Sequence, residues 1–444
     1  MPASALNCAW SPSTGNWGTA GSWSCASVPG AADDATIGVT KTVTINTPQS
    51  VLNLNNAGTV NIDAFLLTLT GGGSTINTGT INVGAGAIPN NAALQVGGSH
   101  NINNAGGVIN VSADSVINQF GSTISGGTIN TTGTGKVVAF NSVANFLSGV
   151  TLNGMLDLAT GTGIERVNGG LTLGGPGAIN IATSSILSLE GTQTIGGTGT
   201  INFGSSAGTI QLNGAGTTTL GAGITIQGEN GTIGGGQSFV GGANTLVNNG
   251  IISANVAGGQ INLLDTAGGG ITNNNVLRAS NGGTLNLQGV ALTQGSSGQI
   301  QAQNGSTVIQ NGSSITGGTI STGVTGVFTA TNNGNNFLSG VTLTGKIDLA
   351  TAVGIERVNG GLTLSGGAIN LASGSIMSLE GSQTISGTGT VNFGGTASTV
   401  QLNGAGTTTL AAGVTIRGQN GTIGGGLSFD VCRNGAIVDQ RIRA

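Results

Sequence analysis

Residues 146–173 read FLSGVTLNGMLDLATGTGIERVNGGLTL, and residues 337–364 read FLSGVTLTGKIDLATAVGIERVNGGLTL, the same phrase 191 positions later. Inside it, apolar and polar residues alternate in short triplets: Val150-Thr151-Leu152, Leu156-Asp157-Leu158, Leu171-Thr172-Leu173. A period of two turns the flanking residues of each triplet to one face of a strand and the middle residue to the other. The beat continues through Ile179-Asn180-Ile181, Leu187-Ser188-Leu189, Ile201-Asn202-Phe203 and Ile210-Gln211-Leu212, at spacings of roughly seven to ten residues. Gly-rich corners such as Gly174-Gly175 and Gly234-Gly235-Gly236 separate the triplets, and glycine accepts the positive φ that sharp corners need. No apolar stripe at helical spacing is sustained anywhere. Three short strands per turn give a coil of about 20–27 residues, stacked on the next by parallel backbone pairing ~4.8 Å away. The pattern predicts an all-β chain wound as a β-solenoid. A β-sandwich would use longer strands, more charge and more aromatics, and explains the long repeat less naturally.

Working outward, QLNGAGTTTL recurs at 211 and 401, and GSTISGGTIN at 121 answers GSSITGGTI at 312. The duplicated segments are 115–239 and 306–429, inside a solenoid expected over 38–429. Past Phe429 the second copy leaves its template, so residues 430–444, with Cys432, Arg433, Arg441 and Arg443, read as an atypical tail. Residues 1–37 read as an N-terminal cap. A coil stack leaves open backbone edges at its ends, which need covering. Trp10, Trp17 and Trp23 are the only tryptophans and precede the first regular strand expected, near Thr42-Val43-Thr44-Ile45. Plugging the end of the core is their expected role, with an aromatic ligand site as the alternative. Cys8 and Cys25 bracket this segment. A bridge there would contribute about 3 kcal/mol on the loop-entropy model and would fit an oxidising compartment; two unpaired thiols are the other reading.

Composition removes several function classes. Ordinary globular chains carry about 25% charged residues, whereas here the figure is 5%, with 87 glycines among 444 residues and no tyrosine. A hydrophobic fraction of 37% and a net charge of only −4 argue against disorder. Lysine and arginine are too sparse to form the basic stripe nucleic acid needs. No apolar run approaches the ~20 residues of a membrane span. The opening Met1-Pro2-Ala3-Ser4-Ala5-Leu6-Asn7 shows no signal peptide, so an exported protein would need one upstream or another route.

Trp17-x5-Trp23-Ser24 followed by Val28-Pro29-Gly30-Ala31-Ala32-Asp33-Asp34-Ala35-Thr36-Ile37 resembles the opening segment of many large bacterial surface β-helix proteins. NNGIISAN at 248, ITNNNVLRASNGGTLNLQG at 271 and GQIQAQNGSTVIQNGSSITGGTI at 298 are similar to repeats of autotransporter passengers and filamentous-haemagglutinin-type proteins. The resemblance spans nearly all of residues 10–429. It implies a right-handed parallel β-helix, export to the bacterial cell surface or beyond, and adhesion to a glycan or protein of a host or neighbouring cell.

Catalytic chemistry has few candidates. His100 is the only histidine, which leaves no triad and no expected metal site; no cofactor is expected either. The Gly-rich stretches lack the phosphate-loop GxxxxGK[ST] pattern. Asp33-Asp34 reads as a turn or cap. Carboxylate pairs are the one sharp possibility: Glu165 with Glu190, and Glu356 with Glu380, are separated by about one coil and lie beside Arg166 and Arg357. Two carboxylates about 5 Å apart divide acid and nucleophile roles in retaining glycosidases, and β-helix folds host pectin-type hydrolases and lyases. Against this, Leu187 and Leu189 of LSLEG point inward, which sets Glu190 outward and solvated, and the phenylalanines mostly take inward positions, as Phe203 does. Outward positions are mostly Thr, Asn, Gln and Ser, and stacked asparagines form amide ladders. Thr42-Val43-Thr44 and Thr68-Leu69-Thr70 carry the unit of a flat ice-binding array without repeating it in register. The expected function is a non-enzymatic, adhesin-like surface or secreted β-helix; the alternative is a polysaccharide hydrolase or lyase.

Overall fold

The computed structural model describes residues 5–424 and 435–438, apart from positions 70, 87–90, 183, 237, 266–267, 352 and 373. Thr70, Phe429, Cys432, Arg433, Arg441 and Arg443 therefore lie outside the described residues. Two compact units are present, one of Met1–Ile224 with Ser238–Gly241, the other of Thr225–Gln237 with Gly242–Ala444. Each is an all-β parallel solenoid.

In the first unit the strands Thr42–Ile45, Thr59–Ile62, Thr80–Val83, Val108–Val111 and Thr128–Thr131 stack in parallel, each residue beside its counterpart in the next coil. The alternation read from sequence sets the facing. Val43, Val60, Ile81, Ile109, Ile129 and Leu152 form one inward column, all buried. Burying each such side chain contributes roughly 1.5–3 kcal/mol, and the column persists because a one-residue slip would turn every member outward. The second unit is built alike, with Ile261, Leu285, Val308, Phe328, Ile347 and Ile369 in register and buried.

Coil length varies more than the sequence pattern suggests. Thr42 lies beside Thr59, seventeen residues on, whereas Asn230 in the second unit lies beside Gln260, thirty residues on. Strand register is fixed by the inward column, so the corners absorb the difference.

Two kinds of asparagine ladder run along the first unit. The inner one occupies a corner: Asn56 Nδ2 donates to Asn77 Oδ1 at 2.7 Å, and Asn77 Nδ2 to Asn104 Oδ1 at 2.6 Å, with all three side chains fully buried. The outer one follows the middle residues of the triplets. Asn82 donates to Asn61, Asn110 to Asn82, and Asn130 to Asn110, each at 2.8 Å, and Asn153 to Asn130 at 2.9 Å. It stops at Gly174, where a Cβ would collide with Asn153 Oδ1.

Strands begin earlier than Thr42. Asn7–Ala9 and Thr14–Asn16 pair in parallel with Asp34–Ile37 and Thr42–Ile45, so the cap is itself the first coil. The backbone of Ala9 and Ser11 that faces away from the next coil is met by an antiparallel return of the chain: Ser11 N–H donates to the Ser22 carbonyl and Ser24 N–H to the Ala9 carbonyl, both at 2.9 Å. That return covers the open edge at Ala9–Ser11. The atypical tail also rejoins the ladder, as Gly435–Val438 pairs in parallel with Gly406–Thr409.

Candidate functional site

Sequence alternation around Ile164-Glu165-Arg166-Val167 decides where the candidate dyads go. Val167 is buried among Leu147 and Leu189, its neighbours in the adjoining coils. Period two then turns Glu165 inward with it and Arg166 outward. Glu356 and Arg357 take the same places in the second copy, against Met377 and Ser378.

Arg166 therefore meets Glu190 on the outer wall. Its Nε and Nη2 donate to Glu190 Oε1 and Oε2 at 2.6 and 3.0 Å, a two-point fork, and Nη1 donates to the Val143 carbonyl at 3.0 Å. The guanidinium lies over the Phe146 and Phe239 rings, 4.2 and 4.9 Å from their centroids. Ser188 Oγ donates to Glu190 Oε1 at 2.9 Å, and Asn213 Nδ2 donates to Ser188 Oγ at 2.8 Å. In the second copy Arg357 Nε donates to Glu380 at 2.8 Å and stands over Phe337 at 4.3 Å, while Ser378 donates to Glu380 at 2.7 Å and Asn403 donates to Ser378. The expectation of a solvated Glu190 is corrected: its side chain is 10% exposed, because arginine, serine and the aromatic rings close over it.

Glu165 and Glu356 occupy a different environment. Both are fully buried, and neither carboxyl oxygen of either residue has a hydrogen-bond partner. Each tops a column of inward polar residues at the start of one wall. Phe146 N–H donates to the Ser122 carbonyl and Arg166 N–H to the Asn145 carbonyl, which sets Ser122, Asn145 and Glu165 in three successive coils. Ser313, Asn336 and Glu356 repeat the arrangement, and Leu187 and Met377 follow above. Neither Asn145 nor Asn336 has an amide hydrogen to spare. Asn145 Nδ2 donates to the carbonyls of Phe140 and Ile164, and Asn336 Nδ2 to those of Thr331 and Ile355. Burial without compensation pushes both carboxyls well above the ordinary glutamate range.

The proposed pairs Glu165/Glu190 and Glu356/Glu380 are thus corrected. Within each pair one carboxyl faces the core and the other the outside, so they line no common groove, and Arg166 and Arg357 hold the outer carboxylate alone. The serine–asparagine–glutamate column is hidden in the sequence because Ile164 and Ile355 suggest the opposite phase. Its signal was Val167, two residues after Glu165.

The expectation for phenylalanine is corrected as well. Phe203, Phe328 and Phe393 are buried, but Phe65, Phe120, Phe140, Phe146, Phe239 and Phe337 lie at or near the surface. Phe120, 38% exposed, stacks on Phe140 with centroids 4.1 Å apart. Val143 is 57% exposed, so the outer wall around Arg166 is more apolar than the alternation predicts.

At the N-terminus Cys8 and Cys25 form a disulfide, with Cα atoms 5.1 Å apart. Trp10, Trp17 and Trp23 are all buried and pack edge to face at 5.1 and 4.8 Å, and Trp23 Nε1 donates to the Trp17 carbonyl at 2.8 Å. None of the three presents a free ring face to a ligand. The Asp33 carboxylate accepts the Leu6 and Gly30 N–H groups at 2.8 and 2.9 Å, a turn role. His100 is buried, its Nε2 3.0 Å from Thr75 Oγ1. Thr14, Thr42, Thr59 and Thr80 stack in register, but Thr44 has Asn16 and Asn61 beside it, and Thr68 has Ser50 and Gln95, so the Thr-x-Thr unit is not repeated from coil to coil. Among the described residues no three His, Cys, Asp or Glu converge as metal ligands, and no helix is long and apolar enough to cross a membrane.

No family model matches the chain, and no curated protein matches its sequence. Among solved structures, the crystal structure of a TibC-catalyzed hyper-glycosylated TibA55-350 fragment matches with a TM-score of 0.25 and 16% identity, over 84% of this chain and 98% of that one.

Proposed function

We propose that this chain is a non-enzymatic, adhesin-like β-solenoid that presents surface outside a bacterial cell, as a passenger or stalk. Its partner would be a glycan or protein on a host or neighbouring cell. The observation that carries this reading is the division of polar groups between the two faces of the wall. Outward positions hold uncharged amides in register, from Asn61 to Asn153, a surface suited to many weak hydrogen bonds over length rather than to one reacting centre. The glutamates that would perform glycoside chemistry are sealed in the core or bound to arginine. A hydrolase needs both carboxyls of a pair on one substrate, and neither pair offers that. A disulfide at the cap fits an oxidising compartment.

Incubating the purified chain with glycan arrays and with cells tests the proposal, alongside reducing-sugar release from a panel of polysaccharides. Saturable binding without sugar release is the expected result. Release that disappears in Glu190→Gln or Glu380→Gln would overturn it in favour of the polysaccharide enzyme.

A further inference from the structure

Glu165 and Glu356 are the only fully buried carboxyls among the described residues, and each lacks any hydrogen-bond partner for both oxygens. An ionised carboxylate there would be shut off from bulk solvent and from the neighbouring Asn145 and Asn336 amides, which are engaged elsewhere. A neutral carboxylic acid, by contrast, is no larger than the leucine and methionine that follow it in the column and carries no charge to desolvate. The arrangement occurs twice with the same serine and asparagine beneath it. We infer that Glu165 and Glu356 are proton-operated latches: each keeps its coil closed while its carboxyl holds a proton, and loosens that coil as the proton is lost.

Other charged groups near each latch face away from it. Around Glu165, Arg166 and Glu190 are paired on the outer wall, and Asp157 is bound to Lys136. Around Glu356, Arg357 and Glu380 are paired outside, and Lys346 and Asp348 occupy the outward places on their strand, on either side of the buried Ile347. His100 begins the same inward column three coils below Glu165, and Val290 takes its place below Glu356, so the second latch works without a histidine. Desolvation is the one cause acting on either carboxyl.

The sign follows from linkage. In the opened chain a glutamate ionises near its ordinary value, about 4.3, while the closed coil keeps the proton to higher pH. Between those two values the open state binds fewer protons, so closure weakens as pH rises. The closed-to-open ratio falls about tenfold per pH unit for each latch. Acid therefore tightens these coils, and rising pH loosens them.

Native-state hydrogen exchange on the full chain, corrected for intrinsic rates, reads this coil by coil between about pH 5 and 8. Opening of the coils around 145–190 and 336–380 should rise with pH, while coils spanning 42–83, which bury no titratable side chain, stay level. Glu165→Gln should flatten the first response only, and Glu356→Gln the second only. A second measurement does not depend on the variants folding: carboxyl carbon NMR of the wild-type protein, whose glutamates number five. Two of those carboxyls should keep their protons to a pH well above the ordinary glutamate range. A pH slope surviving unchanged in both variants, or a folded protein in which no glutamate keeps its proton above the ordinary range, overturns the inference.

Discussion

Truncating Asn77 separates the two amide ladders by energy. Asn77→Ala removes the bonds to Asn56 and Asn104, at 2.7 and 2.6 Å, inside a corner that water does not reach. It leaves one amide hydrogen of Asn56 and the Asn104 oxygen without these partners. Each buried group so stranded costs about 1–3 kcal/mol, while the other Asn56 amide hydrogen keeps the Thr80 carbonyl at 3.1 Å. The expected loss is about 2–5 kcal/mol, confined to the coils that contain residues 56–108. Asn110→Ala removes two equally short bonds, to Asn82 and Asn130, from the half-exposed outer ladder. Water replaces them there, and the loss should be about 0.5–1 kcal/mol. Urea dependence of amide exchange, read coil by coil, measures both, since long repeat arrays need not unfold as one unit. Equal losses at the two sites, or a larger one at Asn110, would refute the assignment of an inner and an outer face.

Three further outcomes follow from the same geometry. Cys8→Ser with Cys25→Ser should lower cap stability by about 3 kcal/mol, seen as faster exchange over residues 7–45 with little change beyond residue 100. Arg166→Ala should cost about 2–3 kcal/mol around residues 143–190, because Glu190 loses its two-point fork and Phe146 and Phe239 lose the cation over their rings; Arg166→Lys should recover only part, since an ammonium cannot make the two-point contact. Burial raises the Asp157 carboxyl, but hydrogen bonds from Lys136 and Thr160 outweigh that and hold it below the ordinary aspartate value. A lowered value means that its stabilisation is complete above the unfolded-state pKa and is lost as pH falls through the folded one. Lys136→Met should therefore destabilise at pH 7 and converge on the wild type in strong acid, in paired pH–denaturation series.

Legibility in the sequence ends at the phase of individual strands. Apolar–polar–apolar triplets place Val43, Ile81 and Ile109 inward without ambiguity, because both flanking residues agree. In Ile164-Glu165-Arg166-Val167 the two isoleucine and valine signals conflict, and packing of Val167 between Leu147 and Leu189 settles the phase against Ile164. That single choice buries Glu165 and carries Arg166 out to Glu190. The outer phenylalanines escape the pattern for a related reason: Phe120 closes one strand and Phe140 directly follows another, where alternation gives way to corner geometry and the rings stack on each other. Ladder asparagines were readable as outward residues, but the inner series at Asn56, Asn77 and Asn104 was not. Corner asparagines look alike in sequence whether they bond to water or to one another.

Methyl-to-methyl nuclear Overhauser contacts in the full chain test the winding itself. Ile81 should contact Val60 and Ile109, and Ile109 should contact Ile129, each link joining equivalent positions of consecutive coils in the same direction. Contacts that instead run in reversed order, as between antiparallel strands, or that join Ile81 to a residue of a facing sheet, would contradict the solenoid and everything assigned to its two faces.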